Sequence, residues 1–242
     1  MAKLSVNVNK VALLRNTRDI GIPSVRKAAE TAAKAGAHGI TVHPRPDQRH
    51  IRPADVYDIA GFVGTKPELE FNIEGNPFPD FMELVRTVRP HQCTLVPDSP
   101  NQPTSDHGWD IKADSARLQP IIAELHGLGC RVSVFMDADV EQIQRVPETG
   151  ADRIELYTQP YAAAFERGEV DAVWEQFARA ADAAQKAGLG VNAGHDLNLH
   201  NLRKFLEIPG ILEVSIGHAL IADALDMGMT QAVKAYLAIV AG

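Results

Sequence analysis

One phrase recurs along this chain and restricts its folding more than any other feature: a helix-like stretch closes on glycine and passes within one or two residues into a short β-branched run. Five copies are legible, entering their runs at Gly36-Ala37-His38-Gly39-Ile40, Gly129-Cys130-Arg131-Val132, Gly150-Ala151-Asp152-Arg153-Ile154, Gly188-Leu189-Gly190-Val191 and Gly210-Ile211-Leu212-Glu213-Val214. Glycine suits the left-handed position that ends a helix, and the following run reads as a strand. Periodicity fills the gaps with strands near 3–9, 37–43, 69–75, 91–96, 130–137, 152–158, 188–194 and 212–217. Amphipathic helical stretches lie between them, such as Val25 to Lys34 and Phe177 to Lys186, with apolar residues at steps of three and four.

Strictly alternating βα units imply a parallel sheet with right-handed crossovers. Eight units within 242 residues favour closure into a (β/α)8 TIM barrel over an open doubly wound sheet, because such barrels run to about 250 residues as one domain. No G-x-G-x-x-G follows the first strand, which weakens a dinucleotide-binding reading. The Pro-rich run Pro97 to Pro103 is too short to act as a linker between domains, so residues 1–242 read as one catalytic domain.

The net charge of −7 arises from 31 acidic and 24 basic residues spread along the chain, which argues against nucleic acid or an anionic membrane as partner. No apolar run approaches the roughly 20 residues of a membrane span, and the N-terminus lacks the apolar stretch and cleavage site of a secretory signal. Cys93 and Cys130 sit in apolar strand-like runs, as suits a reducing compartment and a cytoplasmic location.

In a barrel of this kind chemistry gathers where strands end, so the polar residues there are the informative ones. In order they are Asn7 and Asn9, His43, Glu74, the loop after Pro97, Asp137, Glu155, His195 and His218. His43 opens a loop holding Arg45, Arg49 and His50, whose guanidinium groups offer bidentate contacts to phosphate. Glu74 precedes the Asn76-Pro77 turn and so belongs at the barrel mouth, whereas Glu70 lies at the strand's start, near the opposite face. Glu155 lies mid-strand between apolar neighbours and needs a partner or a shifted pKa. Asp137 reads as the cap of the next helix.

Gly194-His195 and Gly217-His218 follow the seventh and eighth strands, where backbone N–H groups of barrels often hold phosphate. The connection from Pro97 to Asp110 exceeds the usual length and is a candidate lid with Gly108 as its hinge. His and Glu side chains converging without a Ser or Cys nucleophile suggest proton transfer on a carbon framework. A Schiff-base lysine is not evident inside the barrel, although Lys10 just beyond the first strand stays open. A metal-dependent sugar-phosphate isomerase or epimerase also stays open, because His43, Glu74, His195 and His218 could form a mixed N/O ligand set. A phospholigand sensor without catalysis is the third reading.

Several motifs converge on one family: Val6-Asn7-Val8-Asn9 through Arg15-Asn16-Thr17-Arg18, Thr41-Val42-His43-Pro44-Arg45 through His50, Asn72-Ile73-Glu74-Gly75-Asn76, Phe135-Met136-Asp137-Ala138-Asp139, Ile154-Glu155-Leu156-Tyr157, Val191-Asn192-Ala193-Gly194-His195 and Ile216-Gly217-His218. In these segments, in order and over essentially its whole length, the chain resembles the pyridoxine 5'-phosphate synthase family of vitamin B6 biosynthesis. The resemblance implies condensation of 3-amino-2-oxopropyl phosphate with 1-deoxy-D-xylulose 5-phosphate to pyridoxine 5'-phosphate, phosphate and water, with no cofactor and no metal. By motif, His43 and Glu74 would be general bases, His195 a proton donor and Glu155 the stabiliser of a charged intermediate. Asn7 and Arg18 would hold the aminoketone phosphate, Arg45, His50 and Thr104 the sugar phosphate, and Gly217 and His218 a phosphate at the last strand's turn, with Asn9 also at the substrate. Small phosphorylated substrates are thus the implied partners, and a homo-octamer the implied assembly. Relatives often carry Asp-His where this chain has Asn9-Lys10, and Gly where it has Asp196, a residue given no binding role.

Overall fold

A computed structural model describes residues 1–242, and its eight parallel strands close in sequence order into a barrel, β1 pairing with both β2 and β8. The first half runs β1 Lys3–Asn7, α1 Asn9–Asn16, α2 Val25–Ala35, β2 Gly39–Val42, α3 Pro53–Val63, β3 Glu70–Gly75, α4 Pro79–Val88 and β4 Gln92–Leu95. The second half runs α5 Ile111–Gly127, β5 Arg131–Met136, α6 Val140–Arg145, β6 Arg153–Tyr157, α7 Gln159–Glu166, α8 Val170–Lys186, β7 Gly190–Gly194, α9 Leu202–Phe205, β8 Ile211–Ile216, α10 His218–Met227 and α11 Met229–Val240. All five glycines of the recurring phrase, Gly36, Gly129, Gly150, Gly188 and Gly210, have positive φ, the conformation that lets the chain leave a helix and turn into the next strand.

The strand pleat sorts the side chains into two layers. Aliphatic and aromatic residues such as Phe71, Ile73, Val132 and Val134 join one large apolar core with the helices. The alternate positions point into the barrel and are polar: Ser5 bonds Thr41 at 2.7 Å, Thr94 donates to Asn72 at 3.1 Å, and Gln92 donates to Glu213 at 3.3 Å. A hydrogen-bonded interior of this kind can place carboxylates within the barrel at less desolvation cost than an aliphatic one.

Two local expectations change, and one glycine gains a packing role. The first strand ends at Asn7 rather than residue 9, because the Asn7 Oδ1 accepts the Asn9 N–H at 3.0 Å and starts α1 there. The cap of α6 is Asp139, which accepts from the N–H groups of Glu141 and Gln142. Asp137 instead accepts the Gly108 N–H at 3.1 Å. Gly108 is closely packed: a Cβ there would collide with the backbone of Met136 and Asp137, and the next residue, Trp109, donates from its ring to the Leu95 carbonyl at 2.8 Å. Glycine is needed at 108 for close packing.

Candidate active site

The strands' C-terminal ends open on a cavity of about 500 Å³ whose wall includes Asn7, Asn9, His43, Arg45, His50 and Glu74, and also Thr104, Glu155, His195, Gly217 and His218. Residues on β1, β3, β6 and β8 and just past β2 and β7 are thereby brought together from across the chain. Arg18 is exposed beyond the end of α1 and does not line this space. Lys10, Arg49, Ser105 and Asp196 do line it. Lys10 is the one lysine whose sequence position leaves it open to such a place; the others carry weaker signals, since loop residues have no periodicity to betray their direction.

Buried carboxyl groups form the floor. Glu74 is almost fully buried, its Oε1 3.4 Å from the Ser215 hydroxyl and its Oε2 3.5 Å from the Asn7 amide. Burial, reinforced by Glu213 and Asp98, pushes its pKa up to about 8. Glu155 on β6 is likewise buried, and its pKa is raised well above the ordinary carboxyl range by burial and by the nearby Glu74 and Glu213. Its Oε2 has no hydrogen-bond partner. A carboxyl left unsatisfied in a cavity wall is prepared to receive a donor or cation. Gly194 makes room for it, since a Cβ at that position would stand 2.5 Å from Glu155 Oε1. Glu70, at the other end of β3, instead pairs with Lys3 at 2.8 Å and with Arg131, so the choice of Glu74 as the carboxylate at the mouth agrees with the geometry.

Histidines and cations form the walls. His43 places Nδ1 3.8 Å from Glu74 Oε2 and Nε2 3.8 Å from Asp98 Oδ2. The Asn9 side chain fixes the backbone there by accepting the His43 N–H at 2.9 Å. Burial, with Arg45, His50, His195 and Arg49 adding to it, holds the His43 pKa well below its usual value. His50 falls to about 4 through burial and the charges of Arg45, Lys10 and Arg49. The Ile51 N–H donates to His50 Nδ1 at 2.9 Å, so the neutral ring carries its proton on Nε2 and can donate from there.

His195 sits with φ 81° and Asp196 with φ 58°, two successive left-handed residues of the sort found at functional sites. The Thr158 hydroxyl helps hold the turn through the carbonyls of Gly194 and His195. Asp tolerates the left-handed region better than most residues, which explains how it can stand at 196 without glycine. The His195 ring packs at 5.0 Å from Phe135 and 5.3 Å from Tyr157, and burial together with Arg45 lowers its pKa to about 4. At the eighth turn Gly217 lets the chain pass the Asn7 side chain, which a Cβ would meet at 3.2 Å.

The arrangement offers proton donors and acceptors over a buried floor and a cationic rim suited to anions. No three His, Cys, Asp or Glu side chains converge as a metal-ligand cluster, so His43, Glu74, His195 and His218 do not assemble into a mixed N/O ligand set.

Solved structures share the fold. Phosphoribosylanthranilate isomerase from Thermotoga maritima superposes with a TM-score of 0.59 at 12% identity, over 99% of this chain and 98% of that one. The YdjI aldolase from Escherichia coli K12 gives 0.62 at 13% identity, over 97% and 86%. Sequence relatives are far nearer: pyridoxine 5'-phosphate synthase of Albidiferax ferrireducens is 56% identical over 245 residues, covering 99% of this chain and 97% of the relative. That of Bacteroides fragilis is 52% identical over 237 residues, 98% of each. Residues 4–242 match the profile of the pyridoxal phosphate biosynthesis protein PdxJ. On that match and those identities, the chain belongs to the PdxJ family.

Proposed function

We propose that the chain is a pyridoxine 5'-phosphate synthase that condenses 3-amino-2-oxopropyl phosphate with 1-deoxy-D-xylulose 5-phosphate, releasing phosphate and water without a cofactor. The observation that carries this reading is the single cavity in which Glu74, Glu155, His43 and His195 face a rim holding Lys10, Arg45, Arg49 and His50. Buried acid–base groups supply the proton transfers of a dehydrating ring closure, and the rim takes the phosphates.

Before substrates bind, burial favours the protonated form of Glu74 and the neutral forms of His43, His50 and His195. Substrates reverse this balance. A phosphate dianion beside Arg45 and His50 offsets the cationic charge that suppresses the histidines, raising their proton affinity. A cationic amine or iminium near the floor favours ionised Glu74 and Glu155. Glu74 and His43 then act as bases, His195 as proton donor, and Glu155 stabilises the cation. Asn7 holds the aminoketone phosphate near Gly217 and His218, and Thr104 of the lid contacts the sugar phosphate. Asn9 acts through the backbone of His43.

Purified protein mixed with both substrates should yield pyridoxine 5'-phosphate by absorbance together with inorganic phosphate. Folded protein that forms neither product excludes the proposal.

A different observation supports the expected assembly. Leu13, Leu14, Ile20 and Ile22 are exposed on and just beyond α1, an apolar surface that a second copy would cover. A homo-oligomer, with the octamer as its form, is expected by light scattering; a monomer at micromolar concentration excludes it. No helix is long and apolar enough to cross a membrane, and the two cysteines are buried free thiols. A cytoplasmic location suits such thiols, and fractionation of the source cells tests it.

A further inference from the structure

Asp98 lies past the end of β4, is 3% exposed, and takes no part in the acid–base set above. Its Oδ2 accepts from Arg45 Nη2 at 2.6 Å and from the Ser105 hydroxyl at 2.7 Å, and stands 3.8 Å from His43 Nε2. Its backbone carbonyl accepts from the Asn76 amide at 3.1 Å. Arg45 is held a second time by the Gln102 carbonyl, also at 3.1 Å. One residue therefore joins the loop after β2, the turn after β3 and the lid. Its other oxygen, Oδ1, is buried without a hydrogen-bond partner.

A buried carboxylate with an unsatisfied oxygen retains charge that its donors do not absorb. His43 faces that charge. The remaining groups around the imidazole are Arg45, Arg49 and His50 on its own loop, His195 after β7, and Glu74 on β3. The arginines oppose protonation of His43; Asp98 favours it, and Glu74 does so once ionised. Glu74 lies on the Nδ1 side and Asp98 on the Nε2 side, so the imidazolium would be flanked by carboxyl groups on both edges.

We propose that Asp98 is a positioning residue of this active site, fixing Arg45 and Ser105 at the cavity and stabilising the imidazolium formed when His43 accepts a proton. The idea rests on the acid–base role given to His43 above. Asp98 borders a separate cavity of about 60 Å³ together with His43, Arg45 and Asn76, which leaves room for a longer carboxylate at this position.

The test compares D98N, D98E and S105A with wild type in steady-state kinetics across pH, and follows the His43 imidazole of ligand-free protein by NMR titration. D98N removes the charge and nearly preserves shape. It should lower kcat about tenfold or more and move both the acid limb of the kcat profile and the His43 titration to lower pH. D98E, which keeps the charge, should hold both near their wild-type positions. S105A should raise KM for the sugar phosphate severalfold and, with the Asp98 charge intact and one donor to it gone, should not move the His43 titration to lower pH. Wild-type kcat and titration in D98N would overturn the proposal, as would equal shifts in D98N and D98E. Should D98N not fold, a His43 titration moved to lower pH in S105A overturns it, because the charge is intact there and one fewer donor absorbs it. Wild-type protein without turnover rejects the proposed reaction, whereas the NMR titration still decides the role of Asp98.

Discussion

His43 Nδ1 and Glu74 Oε2 stand 3.8 Å apart at the ends of neighbouring strands, close enough for strong electrostatic coupling and too far for a hydrogen bond. The gap matters for chemistry. Neither side chain is consumed by the other, so each stays free to meet a proton on a bound substrate.

Replacing Glu74 by Gln should therefore lower turnover by roughly 100-fold or more, as removal of a proton-transfer group does. Glu70→Gln on the same strand should leave turnover within a few-fold, since Glu70 belongs to the ion pairs with Lys3 and Arg131 at the opposite end. Steady-state kinetics checks both, and equal losses would overturn the assignment of the carboxylate.

The Lys3 and Arg131 pairs give Glu70 a different signature. Its pKa is held down to about 2, its side-chain bonds to Lys3 and Arg131 outweighing burial. A depressed carboxyl contributes stability above its unfolded pKa and loses it as pH falls toward the folded value. Between about pH 4.5 and 2, wild type should lose stability more steeply than Glu70→Gln in urea titrations; parallel curves would contradict this.

His195→Asn should lower turnover by roughly 100-fold or more with little loss of affinity for inorganic phosphate. Rapid-mixing kinetics and calorimetry separate the two effects. An unchanged kcat would remove His195 from the proton path.

Binding of sulfate, a stand-in for substrate phosphate that stays a dianion over this pH range, should take up protons. His50 and His195 lie near 4 before any ligand binds, lowered first by burial and then by neighbouring cations. An added anion offsets the cations and raises both values, so uptake should grow as pH falls from 7 toward 5. Titration calorimetry in buffers of different ionisation enthalpy reads this directly, and buffer-independent heats would refute it.

Gly108→Ala should destabilise the fold by about 1–3 kcal/mol, because the added methyl meets the backbone of Met136 and Asp137 rather than a movable side chain. Thermal unfolding measures the cost. A melting temperature equal to wild type would mean that this corner yields to the added methyl.

Local rules made the barrel legible in the sequence. Glycine ends a helix for a conformational reason that needs no distant partner, so Gly36, Gly129, Gly150, Gly188 and Gly210 announced the βα alternation, and the resulting topology located the mouth. Polar residues at strand ends, Glu74 and His195 among them, followed from that topology. Long-range geometry decided the rest. Whether Asp137 or Asp139 caps a helix depends on which backbone N–H lies within reach. Whether Gly108 bends or packs depends on β5. Asp98, one more loop acid in the sequence, became a junction only because the loop after β2, the turn after β3 and the loop after β4 meet around it. Periodicity records which way a chain turns locally; burial, charge and contact between segments distant in sequence exist only once the barrel has closed.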